Sequence, residues 1–193
     1  MHERDVAGAL PSDRDVSTML ILVVGPSGAG KDTLMEAAKL ALADDPRFRF
    51  ARRVITRPAA AGGEAHEAVT EAEFVTRDFA LQWQSHGLRY GIPADAIAGG
   101  GPVVVANVSR TVISEAARRF AVRVIEVTAP PAVLAERLAA RGRETAADVA
   151  ARLARDVSVP GDVAVERVMN DATLEQGIAR FVAALSRAAS DVP

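Results

Sequence analysis

The sequence predicts an α/β domain, a parallel sheet covered by helices on both faces. Three observations lead there. A run of six apolar residues, Met19 to Val24, passes directly into Gly25-Pro26-Ser27-Gly28-Ala29-Gly30-Lys31. Further apolar runs, Val103 to Ala106 and Val122 to Val127, recur downstream with helical patterns between them. The chain has 193 residues, 49% of them apolar, which is enough to close one core around such a sheet.

The first run is read as a buried strand because it carries no polar break and is mostly Leu, Ile and Val. The loop after it matches G-x-x-x-x-G-K, a phosphate-binding pattern. Its glycines let the backbone turn so that consecutive N–H groups converge on one anion. The following helix adds its positive N-terminal end, and Lys31 is placed to reach the outer phosphates of a nucleotide as a mobile point charge. Gly25, Pro26, Ser27, Gly28, Ala29, Gly30, Lys31, Asp32 and Thr33 are the expected ATP-binding residues. One of them departs from the pattern: the hydroxyl residue expected after the lysine is Asp32. A carboxylate there can serve as a ligand for Mg2+ or can cap the helix.

The remaining elements follow in order. Asp32 to Ala43 places Leu34, Ala37, Ala38, Ala41 and Leu42 at helical spacing, and Asp44-Asp45-Pro46 ends it. Phe48 to Ile55 alternates apolar and basic residues and reads as one strand, delivering Arg52, Arg53 and Arg57 to its far end. Glu64 to Val69 has weak strand character. Thr70-Glu71-Ala72-Glu73 has the pattern of a capping box. Phe79 to His86 reads as a short helix, with Trp83 as packing, and Gly87 to Pro93 as a strand and turn. Thr111 to Phe120, Pro130 to Arg141 and Thr145 to Arg155 read as helices. Val163 to Met169 is the last strand, Asn170-Asp171 a helix cap, and Ala172 to Ala189 the final helix. Residues 1–17 read as a flexible tail and residues 18–193 as a single domain. Within it, residues 56–98 form an inserted acceptor-binding subdomain and residues 137–155 a helical lid.

Charge and composition exclude several classes. The net charge is −2, so no overall field recruits nucleic acid, and any anion site must be built from local arginines. The chain has no cysteine, which removes disulfides and thiolate metal sites and fits a cytoplasmic location. No apolar run reaches the length of a membrane span, and the N-terminal residues lack a secretory signal pattern. A homodimer is compatible with the sequence, which leaves the oligomeric state open.

GPSGAGKD, RRVITRP with its following GGE, HGLRYGIP, NVSR, ERLAARGRE and VMND stand in the order and spacing of guanylate kinase-like P-loop kinases. From Leu20 to about Leu185 the chain resembles that family, and more closely the ribose 1,5-bisphosphate phosphokinases linked to phosphonate breakdown. The resemblance implies that Arg137, Arg141 and Arg152 close over ATP and neutralise charge on the phosphoryl group in transfer. It also implies that Asn170 lies near the adenine.

On the acceptor side the sequence departs from guanylate kinases, and the departures bear on the substrate. Arg57 of the family's arginine pair remains, while Ala61 falls near the other. Tyr90 matches one phosphate-binding tyrosine, but Ala65-His66-Glu67-Ala68-Val69 lacks the second. Ile92 stands where a hydroxyl residue reads guanine, and a hydrocarbon cannot answer a base edge. Asn107 stands at a strand end where the family has acidic residues. The paired change, acid lost at the strand end and gained at Asp32, favours Asp32 as the metal ligand. A small sugar carrying two phosphates needs basic residues and hydroxyls instead of a base pocket. Arg53, Arg57, Tyr90, Asn107, Ser109 and Arg110 are the candidates, with Arg89 a weaker one. His66 and His86 read as surface histidines. The expected reaction is ATP-dependent phosphorylation of ribose 1,5-bisphosphate to 5-phosphoribosyl 1-diphosphate. A guanylate kinase or other nucleoside monophosphate kinase is the alternative.

Overall fold

The computed structural model describes residues 18–58, 65–98, 102–140, 159, 161 and 163–190. The apolar run Met19–Val24 forms β1, and all six of its residues are buried. Such a run can be satisfied only with neighbours on both edges and both faces, and β1 takes the middle of a five-stranded sheet. Its companions are β2 (Phe48–Phe50), β7 (Val103–Asn107), β8 (Ala121–Thr128) and β9 (Val165–Met169), in the order β2-β7-β1-β8-β9. Every pairing in this sheet is parallel. All the strand C-termini therefore meet at one edge, where ligands bind in open α/β sheets.

A second sheet, β4-β3-β6-β5, gathers β3 (Val54–Ile55), β4 (Glu67–Ala68), β5 (Phe79–Ser85) and β6 (Leu88–Pro93). The α-helices among the described residues are α1 (Lys31–Ala41), α2 (Glu71–Val75), α3 (Ala94–Ala98), α4 (Ile113–Arg119), α5 (Pro131–Ala140) and a C-terminal helix, Leu174–Ala189. One face of the central sheet packs Ile21, Val23 and Ile125 against Leu34 of α1 and Phe181 of the C-terminal helix. The other face packs Leu20, Leu22 and Val104 against Leu81, Trp83 and Ile92 of the second sheet. Burying each such side chain stabilises the fold by about 1.5–3 kcal/mol, so the two sheets are held in a fixed relation.

Three local expectations are corrected. Residues 48–55 are two strands in different sheets, not one. Ala51 to Arg53 form no ladder, and the chain crosses there from one sheet to the other. Residues 79–86 are not a helix. Ala80, Leu81 and Trp83 are buried while Gln82 and Gln84 are exposed, and the segment pairs antiparallel with β6. The two-residue turn His86-Gly87, both at positive φ (53° and 72°), closes this hairpin. Asn170 does not cap the final helix. Thr173 does so, its side chain accepting the amide N–H of Gln176. The capping box of α2 forms as expected, with Thr70 and Glu73 bonding each other's backbone amides. The tail (residues 1–17), Ala61, Glu64 and nearly all of the expected lid, including Arg141 and Arg152, lie outside the described residues.

Candidate phosphate-transfer site

The loop after β1 is shaped by two glycines with distinct reasons. Gly25 has φ 143°, and a Cβ there would sit 1.9 Å from the Val127 carbonyl oxygen of β8. Only a residue without a side chain lets the loop leave β1 this close to its neighbour. Gly30 has φ 87° and forms the left-handed N-cap of α1 without any side-chain cap. The first N–H groups of α1 therefore remain available to an anion. Lys31 folds back over this loop, its Nζ donating to the carbonyl oxygens of Gly25 (2.8 Å) and Pro26 (3.0 Å).

Asn170, at the end of β9, is 6% exposed, and its Nδ2 donates to the Ala29 carbonyl at 2.8 Å. It therefore braces the phosphate loop from behind. This contact was not foreseen in the sequence, which suggested a cap or an adenine neighbour. Gly28, Gly30, Thr33, Arg137, Asn170 and Leu174 line a recess of about 390 Å³ on this side of α1. Nη1 of Arg137 is buried there without a hydrogen-bond partner among the described residues.

A second recess, of about 310 Å³, opens on the other side of α1 and is lined by Asp32, Met35, Lys39, Arg52, Arg53 and Asn107. The structure brings together the two residues whose departures were paired in the sequence. Asn107, buried at the end of β7, donates from Nδ2 to Asp32 Oδ1 at 2.8 Å. Arg53 Nη2 lies 3.5 Å from the same oxygen. Asp32 thus makes these contacts instead of capping α1, and nearly half of its side chain stays exposed. Burial pulls the Arg53 guanidinium below the usual arginine range, opposed by the charges of Asp32 and Tyr90. Its guanidinium also lies over the Tyr90 ring, 5.9 Å from the centroid, and Tyr90 stacks on Trp83 at 5.5 Å. A buried cation with partial compensation is a site that an added phosphate would improve.

Arg57 lies against His66, which is 6% exposed and not on the surface. The remaining candidates are engaged differently. The Ser109 hydroxyl caps a 3-10 turn at Arg110–Val112 by accepting the Thr111 amide. Arg110 Nη2 pairs with Glu126 Oε1 at 2.6 Å, and Arg167 binds the other oxygen of Glu126 at 2.9 Å. Partial burial would raise the Glu126 carboxyl, but hydrogen bonds from Arg167 and Arg110 hold it below the ordinary glutamate range. Ile92 is fully buried among the residues between the two sheets and offers the recess no polar atom. His66, Arg52 and Glu126 are the residues that sequence reasoning missed. Nothing in local pattern marks them, because each acts through a partner distant in the chain.

The central strand, its glycine loop and the helix that follows stand beside a recess lined by basic residues. This is the arrangement of a P-loop kinase. The model of a family described as "AAA domain" matches residues 21–157. The ribose 1,5-bisphosphate phosphokinase PhnN of Acidiphilium cryptum is 50% identical over 173 residues, covering 89% of this chain and 94% of that protein. A bifunctional ribose 1,5-bisphosphokinase-thymidine phosphorylase of Azorhizobium caulinodans is 50% identical over 177 residues. That match covers 88% of this chain, which spans only 26% of the bifunctional relative's length. Guanylate kinase from Anaplasma phagocytophilum shares the fold, with a TM-score of 0.59 at 17% identity over 90% of this chain and 86% of that one. The chain belongs to the family of ribose 1,5-bisphosphate phosphokinases within the guanylate kinase-like P-loop fold. Among the described residues no helix is long and apolar enough to cross a membrane.

Proposed function

We propose that the chain transfers the γ-phosphoryl group of ATP to ribose 1,5-bisphosphate, giving 5-phosphoribosyl 1-diphosphate and ADP, as a step in phosphonate breakdown. The observation that carries this reading is the acceptor recess itself. Arg52 and Arg53 line it, and the Arg53 guanidinium lies over the Tyr90 ring; Arg57 and Tyr90 join them as phosphate-binding groups in this reading, while Ile92 is buried in the core. A purine would find no partner at Ile92 for its polar edge, and burying an unmatched edge costs roughly 1–3 kcal/mol.

An oxygen of the sugar's 1-phosphate attacks the γ-phosphorus. The new P–O bond forms as the bond to the β-phosphate oxygen breaks, and ADP leaves. The nucleophile already carries charge near neutral pH, so the site needs no general base. Lys31 leaves its loop carbonyls to meet the outer phosphates, and the amides at the start of α1 hold them. Arg137, with Arg141 and Arg152 of the lid, neutralises charge that develops in transfer. Asn107, which lines the recess, and Arg110, which would have to leave Glu126, are the further acceptor contacts in this reading, and Ser109 caps the turn that carries Arg110.

Mg2+ fits the residues present. The ion usually takes one or two protein carboxylates and fills the rest of its shell with phosphates and water. Asp32 is a half-exposed carboxylate at the mouth of the phosphate loop, oriented by Asn107, so Asp32 would hold it. When bound, the ion supplies charge neutralisation between the phosphates. The acceptor is a small phosphorylated sugar, without nucleic acid or membrane, in the cytoplasm, and the kinase unit is residues 18–193 with residues 56–98 on the acceptor side.

ADP release measured with ATP, Mg2+ and a panel of phosphorylated sugars and nucleotides tests the proposal. Ribose 1,5-bisphosphate is expected to be the preferred acceptor; comparable turnover of GMP would replace this reading with the nucleotide kinase one.

A further inference from the structure

His66 contacts Arg57 twice. Its Nδ1 lies 3.3 Å from Arg57 Nη2, and its Nε2 lies 3.2 Å from the Arg57 carbonyl oxygen. These two contacts assign the tautomer. A guanidinium can only donate, so Nδ1 accepts; a carbonyl can only accept, so Nε2 carries the proton. The imidazole is therefore neutral in this arrangement. It grips the backbone and the side chain of one arginine at once. The His66 backbone is itself held, because Arg52 Nη2 donates to the His66 carbonyl at 2.7 Å. The ladder of β3 and β4 fixes the same stretch, with the Glu67 amide donating to the Arg53 carbonyl at 2.8 Å.

We infer that His66 is a positioning residue for the acceptor: it aims Arg57 without cancelling its charge. The distinction is chemical. A carboxylate in this place would orient Arg57 equally well but would neutralise it, leaving less attraction for a phosphate. A neutral imidazole orients the guanidinium and leaves the full cation for the ligand. The Arg57 Nε is buried and makes no hydrogen bond among the described residues. The segment Ala65–Val69 lacks an aromatic phosphate ligand, and His66 contributes to the acceptor through Arg57 instead. This inference rests on the acceptor reading given above.

The test compares steady-state kinetics of the whole chain with His66→Ala and His66→Gln, varying acceptor and ATP separately. The glutamine amide also presents an acceptor and a donor, both bonded to one carbon. In His66→Ala the KM for the acceptor is expected to rise about tenfold or more, the effect of losing a hydrogen bond to a charged group. The KM for ATP is expected to stay within about twofold of wild type, which also reports an intact fold. His66→Gln is expected to recover most of the acceptor affinity. An unchanged acceptor KM in His66→Ala overturns the inference, and so does a parallel rise in both KM values. The two readings fail separately. No turnover of ribose 1,5-bisphosphate by the wild-type chain overturns the substrate. Equal acceptor KM values for wild type and His66→Ala, on whichever phosphate acceptor is used, overturn the role of His66.

Discussion

Replacing Gly177 by alanine distinguishes a bracing role for Asn170 from an incidental contact. Gly177 lies in the first turns of the C-terminal helix. By helix propensity alone, alanine there should stabilise the protein by about 0.8–1.0 kcal/mol. The structure predicts the opposite sign. A Cβ at position 177 would sit 2.4 Å from Asn170 Oδ1, and a Cβ at Gly30 would sit 2.6 Å from Asn170 Nδ2. The Asn170 amide is thus wedged between two glycines, with its donor spent on the Ala29 carbonyl. It cannot move aside without giving up that bond. A buried carbonyl left unpaired costs roughly 1–3 kcal/mol, and the displaced amide needs new partners as well. Against the propensity gain, Gly177→Ala should be less stable than wild type by up to about 2 kcal/mol, by these two terms. For a domain of this size 2 kcal/mol lowers Tm by roughly 4–8 °C. Because the lost bond belongs to the phosphate loop, ATP binding should weaken in step. Thermal denaturation together with nucleotide titration measures both. A variant as stable as wild type, with unchanged ATP affinity, would refute the bracing role.

Gly25→Ala should be destabilised by on the order of 3 kcal/mol or more, read by urea denaturation, because the atom it meets is the Val127 backbone oxygen, 1.9 Å from the added Cβ. Asp32→Asn should fold normally, since the side chain is 47% exposed; the Mg2+ concentration for half-maximal turnover should rise about tenfold or more, and an unchanged Mg2+ dependence sinks the metal role. Glu126 titrates below the ordinary glutamate value because Arg167 and Arg110 outweigh its burial. Its pairing therefore stabilises the fold at pH above that ordinary value and is lost as pH falls through the lowered one. Acid denaturation of Glu126→Gln should lack that part of the wild-type pH dependence, and identical acid profiles would contradict the pairing.

The phosphate loop was legible because its chemistry is contiguous: strand, glycines, lysine and helix occupy one short stretch, Met19 to Ala41. The central sheet was legible for a similar reason, since fully buried parallel strands such as Val103–Asn107 must be apolar throughout. The second sheet was not. Phe79–Ser85 combines two adjacent buried residues, Ala80 and Leu81, with a later alternation, which blurs the period that separates strand from helix. The cue that would have resolved it is His86-Gly87, a two-residue turn between segments that pair as a hairpin. The acid gained at Asp32 as the acid at the strand end was lost was legible in the sequence; that Asn107 bonds Asp32 was not, because only the fold brings them together. His66 and Asn170 could not be read in the same way. Their roles depend on Arg57 and Ala29, and only the fold brings the partners together.

The proposed reaction is defined by which oxygen receives the phosphoryl group. Phosphorus NMR of a reaction containing ATP, Mg2+ and ribose 1,5-bisphosphate reports this directly. The 1-phosphate signal is expected to give way to the coupled pair of a diphosphate at C1, with the 5-phosphate unchanged. A new phosphate on a sugar hydroxyl, or turnover only when a nucleoside monophosphate is supplied, would contradict it.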